Sequence, residues 1–363
     1  MKKIDSKAYK KLFLSLVIVI ASFVLIFLGI YIYKSITERN VSYEKLESMM
    51  LNAAKRYFDS EGLPDVDGQT KEVSIPNLVS SGYLKSLDKL TNDTTCSGYV
   101  KVNNNGGYNL FIPYLKCKDY KTKTLSDAIK SNITTSGAGL YEINNEYVFK
   151  GEFVSNYVKF ANSIWRIIKI DKDNNIRLIR TKRLENNEPW DDRYNTSKNA
   201  NVGINIYNVS RIKEKLNSVY NNPKIFTEND KKHIVSSNVC VGKRSLNNPS
   251  LNNTDLCSEV VENQFLSLVD ITEYYNASLD SDCKSLNDLS CQNYNYFTDF
   301  YVSGWTTTAV LENTYEVYKT ILGEPCKNNA YEQNYFYIVL HVSGNEKHLS
   351  GSGTSEDPFI IEE

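Results

Sequence analysis

Histidine is scarce. The 363 residues hold three, His233, His341 and His348. Zinc sites and Ser/His or Cys/His nucleophile pairs are built on histidine, and none of these three sits in a local catalytic signature. No Cys-x-x-Cys pair occurs, which removes the common zinc and redox patterns. An excess of one charge is lacking too. Forty-two basic against 43 acidic side chains leave −1, too even for a general nucleic-acid binder. The chain has no low-complexity stretch and no repeat of solenoid length. No metal and no cofactor are expected. "GSGTS" near residue 351 has no lysine at the P-loop spacing and reads as a turn before a last strand. "DKDNN" opens like a calcium loop with Asp171, Asp173 and Asn175. But Ile176 stands where glycine is required and Lys182 where the bidentate acid belongs, so it reads as a turn.

What is present starts with one long apolar run. Leu12 to Tyr33 is 22 residues without a charge, and a bilayer core of about 30 Å takes about 20 helical residues. A secretory signal has a shorter apolar core followed by small residues, whereas this run ends in "GIYIYKS". Tyr31, Tyr33 and Lys34 suit the membrane interface. Five lysines before the span (Lys2, Lys3, Lys7, Lys10, Lys11) against Lys34 and Arg39 just after it predict a cytoplasmic N-terminus and an exported remainder. The expectation is an uncleaved single-pass anchor at the cell membrane. No Leu-Pro-x-Thr-Gly sorting signal is present, which leaves the helix as the expected anchor.

All seven cysteines follow the span, which in an exported chain reads as disulfides. In "CSGYVKVNNNGGYNLFIPYLKC", a turn at Gly106–Gly107 sets Cys96 opposite Cys117 and Val100 opposite Pro113, on one face of a hairpin. Sequential pairing then joins Cys240 to Cys257 and Cys283 to Cys291, leaving Cys326 as a free thiol. Ahead of the hairpin, Leu46, Met49, Met50, Ala53, Ala54 and Tyr57 form a helical stripe. Nothing in the sequence forces a break between that stripe and the span.

The expected fold class is α+β. Residues 1–11 form a cytoplasmic N-terminus and 12–33 the transmembrane helix. Residues 41–124 form a helix-plus-hairpin stalk domain, 125–137 a linker in a stretch with a short helix, and 138–363 an antiparallel-sheet α+β domain with disulfides. In the last, Val158/Phe160, Ile164–Ile170 and Ile176–Ile179 read as consecutive antiparallel strands, with Trp165 in the core and Arg166 and Arg177 on the other face. "SRIKEKLN" is an amphipathic helix capped by Asn208 or Ser210. "FTENDKKH" starts another behind Thr227, with His233 on its solvated side.

The order of "NYVKFANSIWRIIKI", "SRIKEKLN", "FLSLVDITEYYNAS", "GWTTTAV" and "GSGTSEDPFII" resembles that in exported proteins of low-GC Gram-positive bacteria. Those proteins have a membrane anchor, a pilin-like region and a C-terminal Trp-Arg-Ile domain of unknown function. The resemblance implies a place at the cell surface and no particular activity. The helix and hairpin are similar in plan to type IV pilins and pseudopilins, although the prepilin processing pattern is absent. The alternation of helices and strands is similar to C-type-lectin-like folds. The functional expectation is a surface module that binds glycan, wall polymer or a partner protein. Trp190, Tyr194 and Trp305 offer flat faces for sugar CH groups, although a core place for Trp305 is the better-favoured reading. Asp191 and Asp192, after Trp190, are the paired carboxylates for acid/base work or cation binding. The alternatives are a minor-pilin-like part of an envelope assembly and a wall-active hydrolase.

Overall fold

The computed structural model describes residues 6–38, 41–66, 69–105, 108–184, 186–245, 256–280, 283, 295–298, 303–321, 324–348 and 350–361. The Gly106–Gly107 turn, Cys291 with its pairing to Cys283, the 246–255 loop and the side chains of Tyr31, Tyr33 and Lys34 lie outside this description. The chain is α+β and divides into two units, Met1–Thr122 and Lys123–Glu363.

In the first unit the apolar run lies within a helix, Ser6–Glu38. None of the Phe13–Ile30 stretch is buried within the chain, so it is long and apolar enough to cross a membrane and is not a core helix. A second helix, Tyr43–Glu61, starts afresh rather than continuing the first. Ser42 is extended, and its hydroxyl accepts from the Lys45 amide, a cap that begins a helix. Leu46, Met50, Ala53, Ala54 and Phe58 bury one face of this helix with the sheet residues Val73, Val100, Val102 and Leu115. The sheet is antiparallel, in the order Thr70–Ser74, Ser97–Asn105, Tyr108–Lys116. Gly98 faces Leu115 and Val100 faces Pro113, which sits on the edge strand where its missing N–H does no harm. Cys96 and Cys117 are bonded across the hairpin. Glu47, buried within the apolar stripe, accepts hydrogen bonds from the Thr122 and Tyr120 hydroxyls.

The second unit is built on a nine-stranded sheet whose main path runs Ile234–Val235, Val339–Ser343, Asn175–Arg180, Ser163–Ile170, Glu146–Lys150, Gly139–Ile143. Tyr157–Phe160 also pairs with Ser163–Ile170, and the late strand Phe359–Ile360 joins it in parallel. Gly351 and Gly353 hold φ of +96° and +84°. In both, a Cβ would come within 2.5 Å of a backbone oxygen, which explains the glycines of "GSG" as a tight turn. Asp171 accepts from the amides of Asp173 and Asn175, so "DKDNN" is a side-chain-locked turn.

Residues 125–137, expected as a linker, belong to this unit. Thr124 and Asp127 cap a helix, Leu125–Lys130, and Leu125 and Ile129 sit in the core. His233, expected on a solvated face, is buried edge-on to Phe160 at the end of the short Glu228–His233 helix. Ser210 caps the Arg211–Tyr220 helix, and Asp270 caps Ile271–Asn276. A separate antiparallel sheet comprises Gly304–Ala309, Glu316–Ile321 and Glu324–Asn329.

Candidate functional site

The aromatic platform expected from the sequence does not form. Trp190 and Trp305 are 0% and 1% exposed, and each ring N–H is used inside: Trp190 Nε1 donates to the Thr306 carbonyl at 3.0 Å, Trp305 Nε1 to the Glu188 carbonyl at 2.9 Å. The two rings thereby tie the 188–190 segment to the Gly304–Ala309 strand. Trp is the largest apolar payload a core can bury, and burial wins here over solvent display. Tyr194 remains exposed, its hydroxyl bonded to Asn199.

Asp191 and Asp192 do not converge. Asp191 is fully buried. Its carboxylate accepts from the Arg193 side chain and from the Ile204 and Arg211 amides, the latter at the start of the Arg211–Tyr220 helix. It holds the fold together. Asp192 points to solvent and pairs with Arg211 at 3.3 Å. Acid/base work by the two together has no geometric basis.

The structure gathers polar chemistry elsewhere in the distal unit. Across three neighbouring strands, Arg177 lies opposite His341 on one side and Lys169 on the other. Such cross-strand neighbours stand about 5 Å apart on one face. Lys169 pairs with Glu146 at 2.9 Å. Arg177 forms a two-pronged pair with Glu273 through Nε and Nη2, and also donates to the Leu268 carbonyl and the Ser267 hydroxyl. Glu273 is positioned by its own helix start. Asp270 accepts from the Thr272 and Glu273 amides, and Glu273 Oε2 accepts from the Asp270 amide at 3.2 Å, a reciprocal capping box.

These groups line a cavity of about 290 Å³. Asn238, Val239, Cys240, Leu256 and Cys257 form another wall, closed by the Cys240–Cys257 disulfide. Thr307 also lines it. Its side chain is buried, yet its hydroxyl has no hydrogen-bond partner among the described residues.

The electrostatics follow from burial. Removal from water raises Asp270 to about 6, and the Glu273 charge adds to the rise. Burial would raise Glu273 as well, but the Arg177 guanidinium, joined by the Lys169 charge and the Asp270 amide, outweighs it and holds Glu273 below its ordinary value. Burial first, then the Arg177 and Lys169 charges, hold His341 well below 6.5. At neutral pH the cavity therefore offers a neutral imidazole, two satisfied ion pairs, a free hydroxyl and the amides of Asn238 and Asn276. That set suits hydrogen bonding to a polar ligand. Asp270 is committed to its helix cap and both lining cysteines to a disulfide.

The His/Cys/Asp/Glu cluster found among the described residues is Asp93 with Cys96 and Cys117, whose sulfurs are bonded to each other. Cys326 is a half-buried free thiol.

The sequence reading passed over Asp270, Glu273, His341 and Thr307 as site residues. The available signals were "DITE", a capping box, and Arg177 on an otherwise apolar strand, where a buried cation demands an acid. No family model, curated protein or solved structure matches the chain.

Proposed function

We propose that the chain is a membrane-tethered recognition module, its N-terminus cytoplasmic and its two folded units exported. In this reading the distal cavity receives a neutral polar ligand, a glycan or wall-polymer unit. The observation that carries the reading is the Thr307 hydroxyl, buried and without a partner among the described residues, in a cavity whose charged groups are otherwise satisfied. A buried polar atom without a partner is costly, and a ligand hydroxyl would complete it. The charge bias around the span and the disulfides of both units support export.

The test is titration of the full-length protein, in neutral detergent, with isolated cell-wall fractions and a glycan panel. Saturable binding that persists in moderate salt is expected, with Thr307→Val weakening it about tenfold, the worth of one buried hydrogen bond. Binding unchanged in Thr307→Val removes the cavity. Absence of binding to every fraction removes the recognition role.

A second reading, a part of an envelope assembly, draws on the Tyr43–Glu61 helix packed on a stapled antiparallel sheet. It expects proteolytic processing of the N-terminus, whereas the tether expects none. N-terminal sequencing of the mature protein separates them: a start before or within Leu12–Tyr33 other than the initiator region favours assembly.

A further inference from the structure

The strand that carries Arg177 into the cavity ends at Arg180. The chain then borders a second hollow, of about 520 Å³, which shares no lining residue with the first. Its cations are Arg180, Lys182, Arg183 and Lys215, and Glu188 is the acid among its lining residues. Lys215 and Glu188 pair with each other. Arg180, Lys182 and Arg183 have no ion pair among the described residues. By sequence Glu185 adds one acid, which leaves four cations to two acids in a chain whose net charge is −1. The hollow is thus locally positive.

Two details make this more than a solvated basic turn. Arg180 is half-buried, and its Nε and Nη2 both donate to the one Ser163 hydroxyl, at 3.2 and 3.0 Å, leaving donor capacity without a counter-charge. A guanidinium taken partly out of water gains most from an oxyanion. Arg183 is held by stacking: its guanidinium carbon lies 3.4 Å from the centre of the Tyr335 ring. The fork is therefore oriented before any ligand arrives. Asn186 and Asn222 add neutral donors at the same hollow. Because Arg183 covers Tyr335 and Phe336 is buried, no ring among the described residues of the hollow is open for a nucleobase to stack on, so the chemistry fits a polyanion without bases.

We infer that this hollow binds the phosphodiester groups of a polyol phosphate, with Arg180 and Arg183 as forked donors and Lys182 as a point charge. The site is independent of the cavity and goes beyond the role proposed for it. Glycerol phosphodiesters occur both in soluble polymers and in phospholipid headgroups, and the test separates the two.

Full-length protein in phosphatidylcholine nanodiscs is titrated with fluorescent poly(glycerol phosphate) at several salt concentrations, alongside polyglutamate of matched charge. Saturable binding of the phosphate polymer is expected, with polyglutamate much weaker. In the exposed-side-chain variant Lys182→Gln/Arg183→Gln, affinity falls by about tenfold or more and the slope of log affinity against log salt drops by about 1.5. Thr307→Val leaves this binding unchanged, so the hollow and the cavity fail or succeed separately. Nanodiscs containing phosphatidylglycerol that displace the polymer assign the site to a lipid headgroup. Lack of displacement assigns it to a soluble polymer. Equal binding of polyglutamate, no binding of the phosphate polymer, or full affinity in the double variant overturns the inference.

Discussion

Arg177→Met lowers the stability of the distal unit by about 3–5 kcal/mol at neutral pH, the usual consequence of stranding a buried charge. Glu273 would be left in the cavity wall with its guanidinium gone, along with the donors to the Leu268 carbonyl and the Ser267 hydroxyl. The loss has a pH signature. In the wild type Glu273 is held below its ordinary value of 4.5, so its pair contributes stability above that pH and loses it as pH falls through the folded pKa. In the variant, burial, the largest influence on Glu273, is opposed only by the Lys169 charge and the Asp270 amide, so Glu273 rises and protonation relieves the penalty as pH falls. The gap between the two proteins therefore narrows towards pH 4. Asp270 runs the other way in both: raised from 3.8 to about 6, it makes stability fall as pH rises across that window. All three tryptophans, Trp165, Trp190 and Trp305, belong to the distal unit. Urea unfolding followed by tryptophan fluorescence at pH 7 and pH 4.5 thus reads this unit alone. An equal loss at both pH values would show that the pair is not the cause. Removing both charges, as Arg177→Met/Glu273→Leu, should recover much of the stability.

Trp190→Ala costs the same unit about 3–5 kcal/mol, as expected for the largest side chain cut from a closed core. The ring is fully buried, 5.9 Å from Tyr207 between centres, and its N–H satisfies the Thr306 carbonyl. Truncation opens a void and orphans that carbonyl at once. Tyr194→Ala, four residues on and exposed, should stay within about 0.5 kcal/mol. Urea midpoints of the two variants decide the matter. An unchanged midpoint for Trp190→Ala would return this residue to the surface, where the sequence had placed it.

Local physics made much of the fold legible. The uncharged run, the hairpin with its cysteines in facing positions, and the three strands around Trp165 all follow from spacing within some twenty residues. So do the caps at Thr227 and Ser210. The site was not legible because its members meet only through the sheet. Arg177 finds His341 across a strand pair that joins distant parts of the chain, and Glu273 arrives on a helix between them. "EPWDD" misled for a related reason. A tryptophan flanked by proline and acids reads as exposed, but Asp191 turns inward to Arg193 and goes into the interior beside the ring, while Glu188 pairs with Lys215 and Asp192 stays at the surface. The linker was misread because its tie to the unit is long-range: the Leu125 amide donates to the Glu346 carbonyl, and Leu125 and Ile129 join the unit's core.

The same long-range pairing sets the order in which the distal unit can form. Asn175–Arg180 waits for Val339–Ser343, about 160 residues later, and Tyr157–Phe160 waits for Phe359–Ile360, so contact order is high and closure comes late. A chain emerging vectorially displays an open apolar strand edge for most of its synthesis.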